Sequence, residues 1–366
     1  MVTGLLRCAR NDKRKANTKE TIMKRHNHLW KEFISPENLE LAANNAVKSK
    51  RGKTQTRHFL KHRNEYMQKL QDDLEHNRFR TSPYKIFTIF EPKKRQIYEL
   101  PLYPDHIVHH ALINVLGPIW IRMFIRDSFA CIPGRGLHSA SQRTMHFMRK
   151  HKYVLQCDIR KFYPSLDHNV MIGILKHKIS DRRILDLLIG IIRSGGDGKN
   201  IPIGNLTSQW LGNVYLNELD YFIKQKLHWK SYIRYCDDFC LFGDDKLELH
   251  RIRQTIEHYL LTELKLTFSR CALRPTCCGI NFIGYRFFPR FILMRQRSTK
   301  RLSRRIMNIA RNDDVSMHSM GQLAAAHGWL KWACSYNFRR HLWARICQTK
   351  TTPYVRKFIR KHLFKR

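Results

Sequence analysis

Apolar positions recur at helical spacing from about residue 30 to 80. Trp30, Phe33, Leu39 and Leu41 lead in, and Phe59, Tyr66, Leu70 and Leu74 follow among basic residues, on either side of the Lys/Arg-rich link KSKRGKTQTR at 48–57. Dense β-formers then take over: Tyr84–Phe90 (YKIFTIF) and Gln96–Leu100 (QIYEL), joined by EPKKR, predict a hairpin with a basic turn. Helix signals return at 104–126, where Pro104-Asp105 opens an apolar run, and the Gly/Pro-rich loop CIPGRGLHS (131–139) precedes another helix. Val154–Ile159 predicts a short buried strand with an acid at its end. Residues 169–193 predict helix, SGGDGKN (194–200) a loop, and 205–228 a long helix. YIRYCDDFCLFG (232–243) holds two apolar runs split by acids and predicts a β-hairpin. An amphipathic helix is expected at 247–263 and a strand pair at 279–288, and the remainder, 289–366, reads as helical. No internal repeat is visible.

The chain has 366 residues, room for two or three domains or one large multi-part enzyme, and its 43% hydrophobic content is that of a chain that buries a core. Its charge is unusual: 68 Lys+Arg against 29 Asp+Glu leave +39. Such an excess calls for an anionic partner, nucleic acid first and an anionic membrane surface second. No apolar stretch approaches the roughly 18 residues that a spanning helix needs, so no membrane partner is expected. The N-terminal apolar run is too short for a secretory signal, while a transit peptide is left open by composition; a cytoplasmic setting, the cytosol or nucleoid of a cell, is the default expectation. From Arg286 onward, 20 Lys/Arg face two acids, Asp313 and Asp314, so nearly half of the net charge lies in the last fifth of the chain. Residues 1–30 carry eight Lys/Arg against two acids and read as a basic leader that orders on meeting RNA or a partner.

Ten cysteines lie at 8, 131, 157, 236, 240, 271, 277, 278, 334 and 347 without a CxxC pair, and none of the twenty histidines forms HExxH. Buried reduced thiols are expected, with a zinc site the lesser alternative. The adjacent Cys277 and Cys278 would face opposite sides of a strand.

In so basic a chain, clustered carboxylates need a reason. Asp158 in VLQCDIRKFYPSLDH and Asp237-Asp238 in IRYCDDFCLFG each sit at the end of an apolar run, where an unpaired carboxylate is costly. Asp158 and Asp237 on adjacent strands could hold two Mg2+ ions about 3.5–4 Å apart, an arrangement suited to in-line phosphoryl transfer; hard oxygen ligands favour Mg2+ over zinc. The competing reading of Asp237-Asp238 is a plain hairpin turn, where Asp is common.

The order of acid-ended strand, Gly loop with helix, and aromatic-x-Asp-Asp hairpin resembles a polymerase palm, and over about residues 80–345 the chain resembles the reverse transcriptases of diversity-generating retroelements. DIRKFYPSLDH (158–168) resembles the family's first catalytic motif: the resemblance assigns a catalytic metal-binding role to Asp158, includes neighbouring Ile159 in the metal set with its side chain on the core side, and makes Tyr163 the steric gate that selects deoxynucleotides. IPIGNLTSQWLGNVYLNELD (201–220) resembles the second motif. It implies nucleotide binding around Ile203, Gly204, Ser208 and Gln209, with Gly204 allowing close backbone approach to the base pair. Ser208-Gln209 stands where most reverse transcriptases have Ser-Pro, and Ile203 where accurate enzymes carry Gln; the resemblance implies low fidelity opposite template adenines. YCDD (235–238) resembles the third motif, with Asp237 and Asp238 as catalytic metal ligands and Cys236 in place of the usual Met, Ala or Val.

Weaker likenesses follow. KKRQI (93–97) resembles a fingers segment in which Arg95 grips the triphosphate, a suitable partner for an Arg fork; Lys93 and Lys94 read equally as solvated charges. Within SRCALRP (269–275), Arg270 falls where the family usually has Lys, and its high pKa argues against general acid catalysis. FIGY (282–285) resembles the primer grip, making Phe282, Gly284 and Tyr285 template–primer candidates or, equally, plain core. GWLKWACSYN (328–337) resembles the family's thumb, with Trp329 and Trp332 as packing residues, and Arg301, Arg304 and Arg305 are expected to track the template–primer backbone.

The resemblance implies an α+β right-hand polymerase with a small antiparallel palm sheet and a helical thumb. The expected division is a leader at 1–30, fingers at 31–150 with the first palm strands at about 80–100, palm at 151–169, fingers at 170–200, palm at 201–290, and thumb at 291–366. The implied activity is RNA-directed DNA polymerisation with two Mg2+ ions, Mn2+ being a possible substitute. The implied partners are dNTPs, a template-repeat RNA with its cDNA, and a pentameric accessory variability determinant protein, in the service of mutagenic retrohoming. Alternatives are a retron, group II intron or phage-defence reverse transcriptase, and, more remotely, a non-catalytic RNA-binding scaffold, which predicts eroded acids.

Overall fold

The structure is a computed structural model that describes residues 25–90 and 94–364. Four helices open it: α1 (Leu29–Phe33), α2 (Pro36–Val47), α3 (Thr54–Lys61) and α4 (Arg63–Glu75). Ser35 starts α2 by accepting the Asn38 amide proton, and Pro36 supplies a preset φ in the first turn. The expected hairpin forms as β1 (Lys85–Ile89) against β2 (Arg95–Glu99), with Ile89 opposite Arg95. Helices α5 (Ile107–Met123) and α6 (Leu137–Lys150) lead to β3 (Tyr153–Ile159). A short α7 (Phe162–Ser165), then α8 (His168–Lys178) and α9 (Arg182–Arg193), precede the buried α10 (Leu206–Tyr221). The chain continues through β4 (Tyr232–Tyr235), β5 (Asp238–Gly243), α11 (Lys246–Thr262), β6 (Phe268–Pro275), β7 (Ile280–Phe282), β8 (Tyr285–Phe287) and β9 (Ile292–Met294). Four helices close it: α12 (Gln296–Arg311), α13 (Met317–Lys331), α14 (Tyr336–Cys347) and α15 (Pro353–Leu363).

The central sheet is antiparallel in the order β4-β5-β3-β6. Period-two alternation divides its side chains between two cores. Leu155, Cys157, Ile159, Phe239 and Leu241 join the large core built by the N-terminal helices with α10 and α11. Val154, Ile233, Cys240 and Phe242 face a second core shared with α6 and the three-stranded sheet β7-β8-β9. A third core joins α12 to α15: α12 buries Ile306, Met307, Ile309 and Ala310 while Arg301, Arg304 and Arg305 remain exposed. Among the described residues no helix is long and apolar enough to cross a membrane.

Several sequence expectations are corrected. The helix expected at 169–193 is two, because Asp181 caps a second start by accepting the Ile184 amide proton. The helix expected at 205–228 loses α-geometry at Tyr221 and ends in a wider turn, Phe222–Lys226. Phe268–Pro275, not foreseen as a strand, becomes β6 because β3 supplies its ladder. The basic C-terminal region opens with β9 rather than helix. Cys277 and Cys278 occupy a tight 3-10 turn, not a strand, and together with Cys131, Cys334 and Cys347 they are exposed rather than buried; the described cysteines are unpaired, and no cluster of His, Cys, Asp or Glu suited to zinc occurs among the described residues. The leader reading falls almost wholly outside the described residues, as does Lys93.

Candidate active site

Strand pairing brings the acids together. Asp158 near the end of β3 lies directly opposite Asp238 at the start of β5, and Asp237 sits in the turn between β4 and β5. Directly opposed residues of an antiparallel pair share a face, so Asp158 and Asp238 lie at the open end of the face that carries Val154, Cys240 and Phe242. Asp237-Asp238 thus form a hairpin turn, as the plain-turn reading has it, with the strand-borne Asp158 opposite Asp238. Burial pushes Asp238 up to about 7, reinforced by the charges of Asp158 and Asp237 and by a hydrogen bond between the Asp158 and Asp238 carboxyls. Burial and Asp158 also raise Asp237, opposed in part by Arg95. Ser269 donates to the Asp158 carboxylate and, at 3.3 Å, to its carbonyl.

The turn is held from behind. Arg234 on β4 and Asp220 on α10 are both fully buried and joined by two hydrogen bonds of 2.8 and 2.6 Å. Arg234 also donates to Asn213 Oδ1 at 3.0 Å and to the Cys236 carbonyl at 3.1 Å, and the Tyr232 hydroxyl donates to Asp220 at 2.7 Å. Burial by itself pulls the Arg234 guanidinium down, and Asp220 more than restores it, leaving its pKa above the ordinary value. Cys236 is left-handed, with φ 58°, so its carbonyl needs this restraint.

Tyr163 packs beside Gly212 of α10, where a Cβ would come within 3.2 Å of its ring, and its hydroxyl lies 3.8 Å from Cys236 Sγ. Burial raises its pKa well above the usual tyrosine range, so it stays a neutral wall of the site. Ile203 is half-buried and its carbonyl accepts the Tyr98 amide proton at 2.8 Å, which latches the 203–205 loop to the β1–β2 hairpin. Gly204 has φ +133°, and a Cβ there would lie 2.6 Å from the Tyr98 carbonyl oxygen. The Tyr98 backbone is therefore one constraint that keeps glycine at this position. Ser208 is buried on the first turn of α10, and Gln209 is exposed.

Arg95 is exposed at the start of β2 and acts electrostatically on Asp237. Lys94 and Arg270 are exposed, and Arg270 lies opposite Asp158 across the β3–β6 pair. The Ile159 side chain is buried in the large core, as expected, which leaves only its backbone for a ligand. Phe282 and Tyr285 are fully buried in the second core, so the expectation that their side chains touch a template–primer is corrected; Gly284 is required by Trp329, whose ring would meet a Cβ at 2.7 Å. Trp329 packs on Tyr285 at 5.0 Å, and Trp332 stacks on His138 at 4.2 Å. Arg304 lines a cavity of about 450 Å³ with Lys300, Arg311 and Arg345.

Sequence reasoning missed Ser269, the Asp220–Arg234 pair and Arg295. Arg295 precedes α12 and faces Asp238; burial lowers its pKa, Asp238 raises it, and its Nε is buried without a partner. A lone basic residue in a chain this basic gives no sequence signal.

The donor set fits divalent magnesium. Three carboxylates supply hard oxygens, and the upward push on Asp238 from burial and from the Asp158 and Asp237 charges marks a repulsion that a cation would relieve. Among the described residues no three-ligand cage is already gathered.

A strand-borne acid facing an Asp-Asp hairpin, with a basic residue reaching in from a second hairpin, defines a nucleotidyltransferase of the right-hand polymerase class with an α+β fold. The family described as reverse transcriptase (RNA-dependent DNA polymerase) matches residues 91–287, more than half of the chain, and the chain belongs to that family. It is 24% identical over 285 residues to Protein YkfC of Escherichia coli (strain K12), covering 63% of this chain and 72% of that protein. It is 26% identical over 141 residues to the group II intron-encoded protein LtrA of Lactococcus lactis subsp. cremoris, covering 36% of this chain but 24% of that one. A telomerase structure from Candida albicans, solved with a TWJ fragment of telomeric RNA, covers 79% of this chain and 61% of its own at 12% identity and a TM-score of 0.46.

Proposed function

We propose that this protein copies RNA into DNA, with Asp158, Asp237 and Asp238 as the catalytic carboxylates. The observation that supports the reading is the register of β3 with β5, which sets Asp158 against Asp238 beside the turn that carries Asp237. Magnesium held there would activate the primer 3′ hydroxyl and neutralise the departing pyrophosphate. Arg95 would hold the triphosphate, Tyr163 would exclude a 2′ hydroxyl, and Ile203 and Gly204, with Ser208 and Gln209 behind them, would bound the base-pair pocket. In this reading the fingers take in about 31–150 and 170–200, the palm 80–100, 151–169 and 201–290, and the thumb 291–366. Arg301, Arg304 and Arg305 on the exposed side of α12 would meet the nucleic-acid backbone, so binding should weaken steeply with salt.

The finer assignment is to a diversity-generating retroelement, with an adenine-mutagenised cDNA made from a template-repeat RNA and a pentameric accessory variability determinant protein as partner. Ser208-Gln209 and Ile203 support it. A second reading, a reverse transcriptase of the intron-encoded or a related prokaryotic type, is favoured by the similarity to LtrA. Primer extension on an RNA template with Mg2+ and four dNTPs, with products sequenced, tests both levels. Metal-dependent cDNA that disappears in Asp237→Asn/Asp238→Asn supports the polymerase. Errors concentrated opposite adenine and reduced by Ile203→Gln support the retroelement; accurate cDNA favours the second reading. No cDNA, even with the RNA and accessory protein supplied, overturns the polymerase reading.

A further inference from the structure

We propose that Cys157 and Cys271 are a covalent modification site, a thiol pair that a small-molecule disulfide converts reversibly into a bond stapling β3 to β6. The two are register partners across the β3–β6 pair, and their sulfurs lie 2.8 Å apart. Opposed Cα atoms in an antiparallel ladder are about 4.5–5.5 Å apart, within the roughly 4.4–6.8 Å that a disulfide spans. The bond therefore requires no movement of the backbone beyond the closing of the two sulfurs.

The two thiols are chemically unequal, as a nucleophile and its resolving partner are. Cys157 is 1% exposed and packed in the large core. Cys271 is half-buried, and its pKa is lowered by the hydrogen bond to Cys157 and by the Arg253 charge, against burial and Glu257. Arg253 and Glu257 both belong to α11, which covers this face of the sheet. A half-exposed thiol beside an arginine is the one that a disulfide reagent reaches first.

The exchange balances in two steps. The Cys271 thiolate attacks a low-molecular-weight disulfide such as oxidised glutathione, forms a mixed disulfide and releases one glutathione thiolate, which takes up a proton. The Cys157 thiol then gives up its proton and attacks Cys271 Sγ, expelling the second glutathione. The two protein sulfurs lose two electrons in total, and one glutathione disulfide becomes two thiols. The new bond closes a loop between positions 114 apart in sequence, long enough for a cross-link to restrict the unfolded chain strongly. Because Asp158 follows Cys157 directly, the staple also fixes the strand that carries this acid; that consequence, unlike the bond, rests on the function proposed above.

The full-length protein is reduced, freed of reductant, incubated with oxidised glutathione, unfolded in an alkylating agent, and mapped by mass spectrometry without reduction. The expected product joins the peptide of Cys157 to that of Cys271, minus two hydrogens, and is lost on adding dithiothreitol. The oxidised protein should melt roughly 3 °C or more above the reduced one. Cys271→Ser, at a half-exposed position, should abolish the linked peptide and the shift while remaining folded, and Cys157→Ala should do the same. Recovery of Cys157 and Cys271 as alkylated or singly glutathionylated residues, while exposed Cys277 or Cys334 carries glutathione, would overturn the proposal. Primer extension on the same samples keeps the two readings apart: absence of cDNA in both redox states counts against the polymerase and leaves the mapped bond as it is.

Discussion

Arg234 is the residue whose loss should be most informative. It is fully buried, as is Asp220, and it makes four hydrogen bonds, two to the Asp220 carboxylate, one to Asn213 and one to the Cys236 carbonyl. Arg234→Met keeps the volume of the stem and removes the charge. Asp220 is then left in the core without its cation, with the Tyr232 hydroxyl at 2.7 Å as its remaining partner. Breaking a buried pair by deleting one member costs about 3–5 kcal/mol, most of it the stranded charge. Against a typical total of about 5–15 kcal/mol, that is a large share. The double variant Asp220→Leu/Arg234→Met removes both charges and should cost less than Arg234→Met alone. Urea unfolding of the wild type, both single variants and the double variant measures this directly. In the folded fraction of Arg234→Met, the Cys236 turn loses its tether, so kcat for primer extension should fall while affinity for template–primer stays near wild type. A single-variant loss under about 1 kcal/mol, or a double variant less stable than the single, would refute the argument that the pair is a coupled, desolvated unit.

Other outcomes follow from the same geometry. Asp158→Asn and Asp237→Asn should each cut Mg2+-dependent extension by at least about a thousandfold, while the melting temperature without metal stays level or rises, because burial already disfavours the Asp237 charge. Gly204→Ala puts a Cβ 2.6 Å from the Tyr98 carbonyl at φ +133°; a loss of about 2 kcal/mol in unfolding free energy and a raised KM for dNTPs are expected, read by urea unfolding and steady-state extension. His109 is fully buried against Thr207, and burial, then His106 and His110, pulls it down to about 3. An unfolded histidine binds its proton near pH 6.5, so the stabilisation is fully present above that pH and is lost as pH falls toward 3, by about 3 kcal/mol at pH 4. His109→Gln should flatten this acid limb in a series of melting temperatures from pH 4 to 7; an unchanged slope removes His109 as its source.

What the sequence determined by itself was local and periodic. YIRYCDDFCLFG announces a hairpin because its apolar runs need burial and its acids resist it, and the basic character of the C-terminal region is written in the 20 Lys/Arg that follow from Arg286. The likeness of the motifs around Asp158, Gly204 and Asp237 pointed to a reverse transcriptase, and at that coarser level the match over 91–287 establishes the family. The tertiary structure decided what depends on which strand lies beside which. SRCALRP has no clear period-two alternation, Arg270 and Arg274 flanking Cys271, Ala272 and Leu273, and is a strand because β3 offers its free edge. FIGY reads equally as grip or core in sequence, and packing against Trp329 buries Phe282 and Tyr285. Arg234 looks like any surface arginine until α10 brings Asp220 to it, 14 residues away in the chain. Cys157 and Cys271 are separated by 114 positions and touch through a register that no local pattern encodes. Periodicity reports which face of an element is buried, because burial acts on each residue alone; register and pairing are properties of two segments together, and they exist only once the chain has closed on itself.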